Sequence, residues 1–133
     1  MRITNASTNE TKCNFGKSLH LDLYDVHCSS FTEQQLKQFV EQLIADVKMK
    51  IEGDIHCKYY KGRDKQTEGW SIQCFLDCSS FSMHTAPFDR RIYIDLFSCK
   101  QINILAVMDR CKIFFGATKM NYVMLDRDWE TLD

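Results

Sequence analysis

The chain reads as an α+β domain, a two-layer α/β sandwich in which an antiparallel sheet carries two helices on one face. Three observations predict this. The elements run strand, helix, several strands, helix, strand. The central strands are joined too tightly for the crossovers of a dozen or more residues that parallel neighbours need. The first helical segment carries one apolar stripe, as a helix laid on a sheet does. At 133 residues the chain fits a single domain, a size at which about two thirds of the unfolded surface is buried.

Residues 1–17 are rich in Asn, Thr and Ser and read as a loose leader. Ser18 to Val26 alternates apolar and polar, with Leu19, Leu21 and Leu23 inward, the period of a half-buried strand. Thr32 and Gln35 form a capping box, after which Leu36, Phe39, Val40, Leu43, Ile44 and Val47 recur at helical spacing. The spacing predicts a helix from Thr32 to Lys50, stopped by Gly53. A strand over Ile55 to Tyr60 leads into K-G-R-D-K-Q-T-E-G, whose charges and glycines mark an exposed loop.

Trp70 to Cys78, Phe81 to Thr85 and Arg91 to Phe97 read as three strands. Ile104, Leu105, Val107, Met108, Cys111, Phe114 and Phe115 mark a second helix, ended by Gly116. Met120 to Leu125 closes the sheet, and the acidic tail from Asp126 to Asp133 is expected on the surface. With both helices on one face, the other face needs a partner. Were it apolar, it would be too large a patch for a monomer, so a homodimer is expected.

Hydrophobic residues make up 44% and charged residues 26% of the chain, as in an ordinary globular domain. A formal net charge of -1, with no basic run, supplies no field for nucleic acid or an anionic membrane. The apolar runs fall short of the ~20 residues a spanning helix needs, and the polar N-terminus lacks a signal-peptide core. A cytoplasmic location is expected. The cysteines number seven, an odd count, and Cys57, Cys74, Cys78, Cys99 and Cys111 fall mostly inside strand or helix patterns. They read as buried small side chains or reactive thiols, not as a disulfide framework. His27 with Cys28 and His56 with Cys57 are adjacent pairs whose side chains diverge on a strand, and no C-x-x-C occurs, so no metal site is expected.

The chemistry-bearing residues lie between Gly69 and Cys99. A serine hydroxyl can attack the carbonyl of the peptide bond before it, converting amide to ester. Elimination of that ester then leaves a pyruvoyl group at a new N-terminus. The step needs a strained turn, a group to polarise the carbonyl and a group to carry protons. Gly69 and Ser71, then Ser79, then Ser82, His84, Thr85 and Pro87, then Asp95, Phe97, Ser98 and Cys99 stand in a register that resembles the prokaryotic-type S-adenosylmethionine decarboxylases. The opening strand is similar too, and the likeness runs from about Leu19 to Leu125.

By this resemblance Ser79 is the cleaved serine and the source of the pyruvoyl cofactor, with cleavage between Cys78 and Ser79. Ser71 and His84 assist the acyl shift and elimination. Cys99 protonates the substrate carbon after carbon dioxide leaves, a task that suits a thiol, which is mostly protonated at neutral pH. A pyruvoyl carbonyl serves such enzymes as an electron sink. The three strands that carry Ser79, His84 and Cys99 are expected to bring them together. Tyr59 and Tyr60 are candidates to stack an adenine or face a sulfonium.

The chain departs from the family pattern at three places. The glutamate before the cleaved serine is Cys78, the histidine after it is Ser80, and the aromatic and glutamate of H-T-x-P-E are Ala86 and Phe88. That glutamate is expected to hold the ribose hydroxyls, a role open here to Asp89. The expected function is decarboxylation of S-adenosylmethionine for spermidine synthesis. The departures keep two alternatives open: a pyruvoyl-dependent decarboxylase of a basic amino acid such as ornithine or arginine, and an uncleaved binding or regulatory homologue.

Overall fold

The computed structural model describes residues 16–27 and 30–127. Cys28 and most of the expected leader and acidic tail lie outside the described residues. Six strands, β1 (Lys17–Tyr24), β2 (Ile51–Tyr60), β3 (Gly69–Leu76), β4 (Ser79–Ala86), β5 (Arg91–Ser98) and β6 (Lys119–Asp126), form one sheet with α1 (Glu33–Asp46) and α2 (Ile104–Phe115). The strand order is β2-β3-β4-β5-β1-β6, and every neighbouring pair is antiparallel. The expected two-layer architecture is therefore the observed one.

Alternating strand directions make β1 parallel to β2 and β5 parallel to β6, so each helix lies in a crossover between parallel strands. The two crossovers start from oppositely directed strands and move in opposite senses across the sheet. Right-handed connections then put both helices on the same face. Leu19, Leu21, Leu23, Ile72, Cys74, Leu76, Phe81, Met83, Ile92, Ile94 and Leu96 point into that layer and are buried. They meet Leu36, Phe39, Val40, Leu43 and Ile44 from α1 and Val107, Cys111 and Phe115 from α2. The helices lock to each other through Phe39 against Phe115, centroids 4.5 Å apart, and through Arg110, which donates to both Asp46 carboxylate oxygens at 2.6 and 3.1 Å. The Arg110 hydrogen bonds hold the Asp46 carboxyl below its ordinary range.

The capping box at Thr32 is present, with Gln35 N–H on the Thr32 hydroxyl at 3.1 Å and Thr32 N–H on Gln35 Oε1 at 2.9 Å. The helix end differs from expectation. Lys48 adopts a left-handed φ of 59°, and the Lys48 and Met49 amides bond back to the Ala45 and Ile44 carbonyls. This Schellman turn closes α1 at Asp46 without a glycine. Gly53 instead lies inside β2, where Glu52 faces Phe75 but His56 faces Gln73, so β2 carries two extra residues in a bulge. Lys17, assigned to the leader by sequence, begins β1 and is buried beside Asp126, Nζ to Oδ1 3.0 Å. Gly116 ends α2 with φ 63°, as expected.

The face away from the helices is not the apolar patch that sequence alone left open. Ser71, Gln73, Ser80, Ser82, His84, His20, Asp22 and Asp95 alternate there with Phe75, Tyr93, Phe97 and Val123. His20 Nδ1 lies 2.7 Å from Asp95 Oδ1 at its centre. A hollow of about 330 Å³ opens on this face, lined in part by His20, His56, Ser80, Ser82 and Phe97. No helix among the described residues is long and apolar enough to cross a membrane.

Candidate active site

The β3–β4 hairpin carries most of the candidate residues and has two ends. At the turn, Leu76 pairs with Ser79 and only Asp77 and Cys78 lie between. Cys78 takes φ 56°, a left-handed conformation that a non-glycine residue enters at a cost. The peptide bond after Cys78, the one before Ser79, thus sits in a tight and disfavoured turn.

Ser79 is buried on the helix side, and its Oγ accepts a hydrogen bond from the Cys99 amide at 2.9 Å. The Cys99 thiol points to the Asp77 carbonyl at 3.8 Å, and the Cys78 thiol meets Asp77 Oδ1 at 3.6 Å. The charge of Asp77 and this hydrogen bond push the Cys78 thiol above its ordinary range. Gly16 presses on the same place from just before β1: a Cβ there would lie 1.6 Å from the Ser98 carbonyl oxygen and 2.8 Å from Cys99 Cα. Any side chain at position 16 would displace the Ser98–Cys99 backbone.

At the far end of the hairpin Ser71 pairs with His84. Ser71 Oγ is 2.9 Å from His84 Nδ1, and His84 Nε2 is 3.1 Å from the Thr67 carbonyl oxygen. A carbonyl only accepts, so Nε2 carries the proton. In the neutral ring Nδ1 then accepts from the serine hydroxyl. The register here depends on Gly69, where a Cβ would fall 1.8 Å from the Thr85 carbonyl oxygen, while the Trp70 amide donates to Thr85 Oγ1 at 2.9 Å.

Tyr59 lies beside this end, edge-on to Trp70 with centroids 5.4 Å apart and its hydroxyl on Glu68. The Glu68 hydrogen bond pushes the Tyr59 phenol up. Tyr60 is exposed, with the Lys58 ammonium 4.9 Å from its ring centre. Phe88 and Asp89 form the short turn after β4, where the Lys65 ammonium stands 5.4 Å from the Phe88 ring.

The family model for S-adenosylmethionine decarboxylase matches residues 17–128. The chain belongs to this family. Its fold also superposes on the crystal structure of the adenosylmethionine decarboxylase from Aquifex aeolicus VF5 with a TM-score of 0.69 and 15% identity, covering 92% of this chain and 98% of that one. No curated protein matches the chain.

Within this family fold, one expectation needs correction. Ser79 and Cys99 meet, but His84 does not join them in the same chain. The Ser71–His84 rung lies five residues from the Leu76–Ser79 rung, about 17 Å at ~3.3 Å per residue. It also faces the other side of the sheet. A hairpin with a two-residue turn keeps residues near its turn far from residues near its open end, whatever their register in sequence. Asp77, Gly16 and Thr67 were not singled out from sequence. Thr67 contributes a backbone carbonyl, which leaves no sequence signal, Asp77 contributes both its carbonyl and its carboxylate, and Gly16 acts through its missing side chain.

Proposed function

We propose that this protein is a cytoplasmic, pyruvoyl-dependent decarboxylase of S-adenosylmethionine serving spermidine synthesis, which forms its cofactor by cleaving itself between Cys78 and Ser79. The carrying observation is the cleavage turn: a left-handed Cys78 followed by a buried Ser79 whose hydroxyl is held by the Cys99 amide. Ser79 Oγ attacks the Cys78 carbonyl and the amide nitrogen leaves, giving an ester. Loss of a proton from Ser79 Cα expels the Cys78 carboxylate, and hydration then releases ammonia. The residues present fit the product, because Cys99 lies next to the new terminus with a thiol to donate. A pyruvoyl group supplies a carbonyl that draws electrons from a bound amine as carbon dioxide departs. Cys99 holds the proton that returns to the substrate carbon.

Ser71 and His84 form a proton-carrying pair, hydroxyl to imidazole to the Thr67 carbonyl, of the kind general acid–base chemistry uses. Their separation from Ser79 supports a homodimer. Two copies packed open face to open face about a twofold axis, with strands running opposite, would set this pair from one copy beside the cleavage turn of the other. Tyr60 and Phe88 then offer aromatic surfaces for an adenine or a sulfonium, and Asp89 a carboxylate for the ribose, while Tyr59 lies on the helix side against Trp70.

Intact mass of the purified protein tests the cleavage. Two fragments are expected, the second lighter by one ammonia than a fragment beginning with serine. An intact chain with an unmodified Ser79 would overturn the reading in favour of an uncleaved binding or regulatory homologue. Ala86 and Phe88, in the places of the family's aromatic and glutamate, favour a second substrate reading, a basic amino acid such as ornithine or arginine. Carbon dioxide release from S-adenosylmethionine, ornithine and arginine in parallel decides between them. For the composite site, His84→Ala and Cys99→Ala chains, each impaired alone, should recover activity when unfolded and refolded together. No recovery would place both groups' action within one chain.

A further inference from the structure

The cleavage turn holds two thiols, one of them at the position where the family carries glutamate. Ser80 pairs with Phe97 and Phe81 with Leu96. Extending that register by two residues sets Cys78 opposite Cys99. A disulfide spans Cα atoms ~4.4–6.8 Å apart, and the two thiols are near enough for the charge of Cys99 to bear on Cys78. The thiols also converge on one residue: Cys99 Sγ lies 3.8 Å from the Asp77 carbonyl oxygen and Cys78 Sγ 3.6 Å from its carboxylate. Cys78 is exposed and Cys99 half-buried, so a small oxidant reaches the pair from solvent. Of the other described thiols, Cys74 and Cys111 are buried and Cys57 is half-buried. Burial pushes Cys74 up to about 11 and Cys111 up to about 12 and shields both from an oxidant in solvent.

We propose that Cys78 and Cys99 are a redox pair, oxidised by peroxide to a disulfide that spans the cleavage turn and is reopened by a dithiol. One thiolate attacks a peroxide oxygen, giving a sulfenic acid and water. The second thiolate attacks that sulfur and expels hydroxide, which takes up a proton to become the second water. Two thiols lose two electrons in all, and one peroxide gains them. The bond removes the Cys99 proton, so oxidation switches off any decarboxylation that depends on it. That consequence rests on the function proposed above; formation of the bond does not. If the chain is cleaved before Ser79, the disulfide also joins the two fragments covalently.

The test treats full-length protein with equimolar hydrogen peroxide, blocks free thiols under denaturing conditions, digests with trypsin and maps the peptides without reduction. The expected result joins residues 66–90, or their cleaved part carrying Cys78, to residues 92–100, and the pair separates on reduction. Cys78→Ser should abolish this species, which excludes Cys74 on the same peptide as the partner. Separate sulfinic adducts on Cys78 and Cys99, or pairing of either with another cysteine, would overturn the proposal. If decarboxylation is measurable, peroxide should remove it and dithiothreitol restore it. A crosslink in a protein that never decarboxylates would leave the redox pair standing and sink the enzymatic reading instead.

Discussion

The two ends of the β3–β4 hairpin are built for different work. At the turn the backbone is tight: two residues reverse the chain, Cys78 is left-handed, and Ser79 is buried under a hydrogen bond from Cys99. At the open end the side chains hydrogen-bond in line from Ser71 through His84 to the Thr67 carbonyl. A disfavoured turn and a buried serine lie at one end, a serine–imidazole hydrogen bond at the other. Each end is also fixed by a glycine that admits no Cβ, Gly16 against Ser98 and Cys99, Gly69 against Thr85. One chain thus holds two separated groups of candidate residues, each stiffly positioned.

Five substitutions break or sharpen this contrast. The largest effect is expected from Ser79→Ala, which removes the attacking hydroxyl. Cleavage should be absent by intact mass even after prolonged incubation, while the circular dichroism spectrum stays native. A cleaved Ser79→Ala chain would put the nucleophile elsewhere. Next, His84→Ala should slow decarboxylation by about 10²- to 10⁴-fold, the usual worth of a positioned acid–base group. Ser71→Ala should cost less, because water can solvate Nδ1 in its place. An unchanged rate for both would reduce the open end to a structural role.

Gly69→Ala drives a methyl into the Thr85 carbonyl and should destabilise the fold by the upper end of the ~1–3 kcal/mol typical of overpacking. Denaturant melts read this directly, and a loss under about 0.5 kcal/mol would mean that the strand end shifts freely and the Ser71–His84 register is loose. The smallest effect is expected at the turn's surface. Asp77→Asn removes the charge that holds the Cys78 thiol up, so its pKa should fall and more thiolate should be present at any pH below the thiol range. Iodoacetamide should then alkylate Cys78 faster at neutral pH in the variant. An equal or slower rate would mean that Asp77 does not govern this thiol.

The sequence by itself determined the layers, the family and the identity of the chemically able residues. Alternation at Leu19, Leu21 and Leu23, the helical stripe from Leu36 to Val47 and the Thr32 capping box are local patterns, written by periods of two and 3.6 residues that survive without knowledge of neighbours. Matches between strand pairs, helix ends made by left-handed residues, and contacts through backbone atoms carry no such local signature. The Schellman turn at Lys48 and the bulge at Gly53 were misread for that reason.

What only the tertiary structure decided is which able residues meet. Ser79 and Cys99 are twenty positions apart in sequence yet touch, because β4 and β5 are paired neighbours. His84 is only five positions from Ser79 but stands at the hairpin's other end, because an extended strand carries nearby residues apart at its full rise and turns alternate side chains to opposite faces.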